Sequence, residues 1–438
     1  MSERPTAVLG SSTIGRLTLA FYLLLPLEGI LRKWMFADIE RIFGFVRDPI
    51  LIAIYVVYAF RSRRTLPVWA AMYFIFAGLF VAYVLAFAIL NATPPIVMAL
   101  GIRSYVLYIP LAFILGHELS DADIRKFIIV SLYISIPISL LVFLQFTSPV
   151  ESPINKGTSD DIESRFVVVA GIVRPYGPFT FTQAQAHFTA LMVAITLIAW
   201  EKRRQYAIPT VLLGAGAFST LTMGALSGTR TFFGLAALVC AAYVLAGLAA
   251  PQARQGVARL ASFASVLIAF FVVFTVLFPT SFSAMSERQG EAEYAEGSTI
   301  ARALRGFDIS EQLNSAPLFG YGAGSGSNAA TVIAGLEGFV YGETEWGRMV
   351  NELGSLIGPL AILFRVGVTL WLGWRCAKIN RLTGDGAALI LFGFSGYMLL
   401  YAQTTGQNQN LSFCWLAAGL TLSLCRSAQA PVAARRQF

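Results

Sequence analysis

The chain has 438 residues, of which 56% are hydrophobic and only 13% charged, with a net charge of +8. A mean hydropathy of +0.68 and a charged share about half that of ordinary soluble domains exclude a water-soluble fold. The positive charge is not concentrated as a basic stripe in one soluble domain, so nucleic acid is not an expected partner.

Apolar runs of about 18 to 25 residues match the roughly 30 Å hydrocarbon core of a bilayer at 1.5 Å rise per residue. Twelve transmembrane helices are expected, near 15–31, 42–60, 67–90, 96–116, 127–146, 181–200, 205–226, 231–249, 258–279, 352–374, 386–402 and 409–425. The first run carries Glu28 and is followed by Arg32-Lys33-Trp34 instead of a small-residue cleavage site, so it is expected to stay as helix one. Lys and Arg in short loops are retained in the cytoplasm. With the amino terminus inside, every second loop is basic, and these segments hold eighteen of the 32 basic residues. Examples are Arg61-Ser-Arg-Arg64, Lys202-Arg-Arg204 and the group Arg375, Lys378 and Arg381. Both termini are therefore expected in the cytoplasm of a bacterial inner membrane. Cys240, Cys376, Cys414 and Cys425 lie in or at the inner ends of expected helices, which suggests neither a disulfide framework nor a thiolate metal site.

The expected organisation is 1–279 with nine helices and an outer loop near 147–180, a large outer (periplasmic) loop over 280–351, and 352–438 with three helices and a cytoplasmic tail. The large loop opens with a Glu-rich strip, 287–296. Ser298-Thr299 then caps an expected amphipathic helix to about Leu313, with Ile300, Leu304, Phe307 and Leu313 as its apolar stripe. Arg302 and Arg305, spaced i,i+3, share one side of it and could reach a phosphate. Next comes Pro317-Leu-Phe-Gly-Tyr-Gly-Ala-Gly-Ser-Gly326. No βαβ unit surrounds these glycines, so a dinucleotide loop is rejected, and close backbone approach is the alternative use. The loop ends in a stretch where Glu345, Arg348 and Glu352 line one face if it is helical.

Four ordered motifs, Arg174-Pro-Tyr-Gly-Pro-Phe179, Leu226-Ser-Gly-Thr-Arg230, Pro317-Leu-Phe-Gly-Tyr-Gly322 and Glu352-Leu-Gly354, make the chain resemble the O-antigen polymerase and O-antigen ligase superfamily of membrane glycosyltransferases. The early stretch Leu27-Glu-Gly-Ile-Leu-Arg-Lys-Trp34 is similar to a subgroup of uncharacterised members. The resemblance implies an all-α, class C glycosyltransferase-like bundle that needs no metal or other cofactor. It also implies an undecaprenyl-diphosphate-linked glycan as substrate, the bilayer as surroundings, and a chain-length regulator and a flippase as partner proteins. A leaving diphosphate must have its developing charge stabilised, and arginine forks suit that task. Arg174, Arg230, Arg348, Arg302 and Arg305 are the candidates.

In the ligase branch a histidine near the end of the large loop is thought to activate the acceptor hydroxyl. Here that place, counted back from Gly354, holds Glu343, with Glu345 two residues on, so polymerisation is the favoured activity. Glu345 is the first choice of general base, with Arg348 orienting it or contacting diphosphate, and Glu343 and His187 are its rivals. Transfer to a lipid or protein acceptor is one alternative function. A lipid-oligosaccharide flippase or transporter is another, because Glu28, Arg103 and Arg365 fall inside apolar runs, where they must face the bundle and pair.

Overall fold

The computed structural model describes residues 11–36, 44–61, 68–91, 93–157, 173–250, 304–327, 330 and 344–435. The protein is an all-helical membrane protein. The helices are α1 (Thr13–Ile30), α2 (Asp48–Arg61), α3 (Val68–Asn91), α4 (Pro95–Ile102), α5 (Ile109–Glu118), α6 (Asp121–Thr147), α7 (Thr182–Lys202), α8 (Thr210–Ala225), α9 (Arg230–Leu248), α10 (Ser310–Ser315), α11 (Glu345–Thr383), α12 (Ala387–Leu400) and α13 (Asn408–Arg435). A π turn, Arg103–Leu107, joins α4 to α5 into one membrane-length rod. Among the described residues, eight helical segments are long and apolar enough to cross a membrane, and α8 and α12 are shorter apolar helices. The expected run at 258–279 and most of the loop at 280–351 lie outside the described residues.

Side-chain contacts sort the helix ends into two groups. At one end Asp123 joins a reciprocal cap with Ser120 and also accepts from the Ser12 backbone N and Ser11 Oγ, both at 2.9 Å, pinning α1 to α6. Lys202 Nζ meets Asp385 at 2.6 Å, Asn380 Nδ2 donates to Ala246 O at 3.0 Å, and Ser423 Oγ donates to Leu119 O at 3.3 Å. At the other end Lys33 Nζ donates to Gly177 O at 2.6 Å, Gln407 Nε2 to Gln183 Oε1 at 2.9 Å, and Tyr83 OH to Phe319 O at 2.8 Å. Met223 Sδ lies 3.5 Å from Gln185 Nε2 there, so the motif ending in Arg230 is at this second end too. All motif residues of the sequence analysis that are described gather at this end.

The three intramembrane charges all pair, as burial in apolar surroundings demands. Glu28 lies 2.8 Å from Arg47 Nε and 3.3 Å from Arg32 Nη1. Arg103 forks onto Asp48 with bonds of 2.6 and 2.9 Å, and Arg365 meets Glu345 at 2.5 Å. The helix expected from residue 42 begins at Asp48, because the turn before it delivers Arg47 and Asp48 to those charges. The free thiols of Cys376 and Cys425 touch across α11 and α13 at 3.6 Å.

Two expectations are corrected. The amphipathic helix to Leu313 is interrupted: the chain turns at Gly306 and Phe307, and Phe307 packs edge-on against Trp346 and beside Tyr401 instead of extending a surface stripe. Asp308 then accepts from Ser310 N at 3.0 Å, and its bonds from Ser310 hold its carboxyl below the usual range. Further along, α11 starts seven residues before the expected 352 and is broken at Gly354, whose φ of 86° and ψ of 170° are open only to glycine. The break admits the glycine loop: Tyr321 N donates to Asn351 O (2.8 Å), Gly322 N to Glu352 O (3.1 Å) and Ser355 N to Pro317 O (3.2 Å). A Cβ on Gly354 would strike Leu318 O. Gly354→Ala is expected to cost about 1 to 3 kcal/mol in backbone strain alone, read as a lower melting temperature of the purified protein in detergent.

Candidate functional site

The first two turns of α11 place Glu345, Arg348 and Glu352 on one buried face, each at most 2% exposed. Thr344 caps the helix by accepting from Gly347 N, and Trp346 Nε1 donates to Leu400 O at 2.7 Å, which fixes the rotation of that face. Glu352 is the anchor of the glycine loop. Its carboxylate accepts from Gly326 N (2.8 Å), Gly324 N (3.2 Å) and Tyr105 OH (2.8 Å). Glu345 pairs with Arg365, although Arg348 shares its helical face. Its oxygens also accept from Thr404 Oγ1 (2.7 Å), Thr405 Oγ1 (3.0 Å) and Thr405 N (3.2 Å).

Arg348 is left between these two committed carboxylates. Its side chain passes over Gly326, where an added Cβ would lie 2.9 Å from Arg348 Cγ, and its tip abuts Gly406, where a Cβ would coincide with Nη1. Nε and Nη1 are buried and donate to no described residue. A buried donor without an acceptor costs on the order of 1 to 3 kcal/mol, more when charged. Such groups are rare enough in folded proteins to call for an explanation.

His187, one turn into α7, is fully buried. Its Nδ1 lies 2.8 Å from Asn410 Oδ1. Asn410 Nδ2 donates to the Gln403 backbone carbonyl (3.3 Å) and to Gln407 Oε1 (3.0 Å), which fixes which way that amide points. Nδ1 therefore carries the ring proton and Nε2 keeps its lone pair, with no partner among the described residues. The Tyr397 ring stands edge-on at 6.1 Å.

The other predicted residues are spread around the same end. Arg174 is half-buried with Nε buried and unbonded, and its motif is held by Lys33 on Gly177 O and by Gln145 Oε1 accepting from Gly177 N at 2.8 Å. Arg230 opens α9, and Arg305 is exposed. Glu343 and Arg302 lie outside the described residues.

No protein-family model matches the chain, and no curated protein matches it. The site is therefore read from its own geometry.

Sequence reasoning missed the polar segment 403–410, Gln403-Thr-Thr-Gly-Gln-Asn-Gln-Asn410. It links both halves of the end: Thr404 and Thr405 hold Glu345, Gly406 abuts Arg348, Asn408 Oδ1 accepts from Arg103 at 2.7 Å, and Asn410 orients His187. The signal was present as an uncharged polar run between two apolar helices, in which Thr404, Thr405, Gln409 and Asn410 are buried.

Proposed function

We propose that the chain is a membrane glycosyltransferase that polymerises undecaprenyl-diphosphate-linked oligosaccharide repeats at the outer face of a bacterial inner membrane, in O-antigen, capsule or exopolysaccharide synthesis. Both termini are then cytoplasmic, twelve helices cross the bilayer, and the end of the bundle that carries the motifs faces outward. The observation that carries this reading is Arg348: a buried guanidinium whose Nε and Nη1 bond to no described residue, set between two glycines at that end. A diphosphate oxygen supplies the acceptor those groups lack, and charge-assisted bonds of this kind are about twice as strong as neutral ones.

In the reaction the acceptor sugar hydroxyl attacks the anomeric carbon of the donor, and the bond from that carbon to the diphosphate oxygen breaks. The hydroxyl proton passes to His187 Nε2, whose lone pair Asn410 keeps in place from the far side of the ring. Glu345, with its oxygens committed to Arg365, Thr404 and Thr405, is the clamp that holds segment 403–410. Arg348 meets the charge of the departing undecaprenyl diphosphate, and Arg174 and Arg230 bind the diphosphate at the membrane edge.

The test is Arg348→Met, which keeps the stem and removes the donors. Polymer should fall about 10² to 10³-fold, the cost typical of deleting one such charge-stabilising donor. Protein level should hold, because an apolar side chain replaces a buried guanidinium whose Nε and Nη1 reach no described acceptor, and Glu352 keeps its bonds to Gly324, Gly326 and Tyr105. The polysaccharide ladder should collapse to one repeat. Loss of lipid attachment instead would identify a ligase, repeats trapped on the inner leaflet would identify a flippase, and an unchanged ladder would overturn the reading.

A further inference from the structure

The uncharged hydrogen-bond chain that holds His187 continues past Asn410 to Gln407 and Gln183, which the reaction above does not use. His187 Nδ1 donates to Asn410 Oδ1, Asn410 Nδ2 donates to Gln407 Oε1, and Gln407 Nε2 donates to Gln183 Oε1. Each amide in the series spends its oxygen toward His187 and its nitrogen away from it. The direction is imposed by the Gln403 carbonyl, which can only accept and so pins the Asn410 nitrogen. At the far end Gln183 receives on its oxygen and is left with both Nε2 hydrogens undonated to any described residue, on a half-exposed side chain.

Gln183 and His187 are four residues apart on α7, so they share one face, one helical turn or about 5.4 Å apart. That face therefore presents an amide N–H pair and, one turn along, a buried imidazole lone pair. The first is a donor for an oxygen and the second an acceptor for a hydroxyl proton. A row of rings flanks it: Tyr397 beside His187, Tyr401 at 5.4 Å from Tyr397, and Phe307 at 5.2 Å from Tyr401. Amides with tyrosine faces match the neutral hydroxyls and apolar C–H faces of a sugar. An anion would call for cations, and segment 403–410 contains none.

We infer that the face of α7 bearing Gln183 and His187, backed by the amides of Gln407 and Asn410, is the subsite that holds the acceptor sugar by its neutral hydroxyls. The inference rests on the glycosyltransferase reading and names the substrate group that this part of the site recognises. Gln183 takes one ring hydroxyl oxygen, and the hydroxyl across the ring is thereby directed at His187 Nε2. Gln407 and Asn410 are positioning residues that keep the Gln183 donors and the His187 tautomer in register.

The experiment uses the full-length protein in lipid nanodiscs. The probe is the free oligosaccharide repeat, released by mild acid from the lipid carrier of the producing cell, with inorganic pyrophosphate titrated separately. Gln183→Leu and Gln407→Leu should each weaken binding of the repeat about tenfold, the size of a lost neutral hydrogen bond or two, and leave pyrophosphate binding unchanged. In turnover the loss should lie in KM for the acceptor, with kcat nearly preserved for Gln183→Leu. Gln183→Asn, with the same chemistry one methylene shorter, should recover part of the binding. Equal binding of the repeat by the wild type and both leucine variants overturns the subsite, as does a parallel loss of pyrophosphate binding in both, which would make the chain a scaffold. An Arg348→Met variant that still polymerises overturns the transferase reading, whatever the glutamine variants show.

Discussion

His187→Asn is expected to lower transfer by about 10² to 10⁴-fold, the usual contribution of a general base, while the protein folds and reaches the membrane. Asparagine places an amide nitrogen near the position of Nδ1, so the bond to Asn410 Oδ1, 2.8 Å long in the wild type, has a donor to replace it. What disappears is Nε2, which is buried and bonded to no described residue, so none of these loses a partner. The measurement is the rate of polymer formation against pH. Only the unprotonated ring accepts a proton, so the wild-type rate falls as pH is lowered through the titration of His187, and the asparagine variant should show no such acid limb. A variant with wild-type rate and an unchanged acid limb would assign the proton to another group.

Glu345→Ala should be the most destabilising single change at the site, at about 3 to 5 kcal/mol, because it leaves a buried guanidinium without its counter-charge. Arg365 would keep only uncharged partners, the backbone carbonyls of Leu399 (2.7 Å), Ala402 (3.3 Å) and Met398 (3.4 Å) and the sulfur of Met349 (3.4 Å). The hydroxyls of Thr404 and Thr405 would lose their acceptor at the same time. The expected readout is a large fall in folded, monodisperse protein on size-exclusion chromatography. The double variant Glu345→Leu with Arg365→Met removes both charges and should recover the greater part of the loss, since a buried pair replaced by apolar groups is often neutral. If Glu345→Ala is instead stable and inactive, the carboxylate acts on substrate and the clamp assignment fails.

How much of this could be read in advance divides along a physical line. Length, apolar runs and their spacing report on a segment's relation to the bilayer, and that relation is local. The helices α3, α6, α7 and α9 accordingly lie within a few residues of the expected runs. The requirement that Glu28, Arg103 and Arg365 be paired was equally legible, since an isolated charge in hydrocarbon costs several kcal/mol wherever it sits. The glycines of 317–326 signalled close backbone approach, and the structure shows what they approach: the break at Gly354 and the carboxylate of Glu352.

Identity of partners is a different matter, because it depends on which distant helices are neighbours. The i,i+3 spacing of Glu345 and Arg348 put both on one face, yet Arg365, more than five turns along the same helix past a break, takes Glu345, and Arg348 Nε and Nη1 are left without an acceptor among the described residues. His187 was one of three candidate bases in the sequence, and its tautomer is held by Asn410, 223 positions away, which no local pattern announces. Segment 403–410 carries no charge and no motif, so its uncharged polar run marked it as unusual without naming the residues it would meet. The sequence by itself determined that this is a helical membrane protein with its motif residues at one set of helix ends and its buried charges obliged to pair. Only the tertiary structure decided which arginine takes Glu345 and which nitrogen of His187 is held protonated, because both are fixed by contacts between segments that no spacing along the chain encodes.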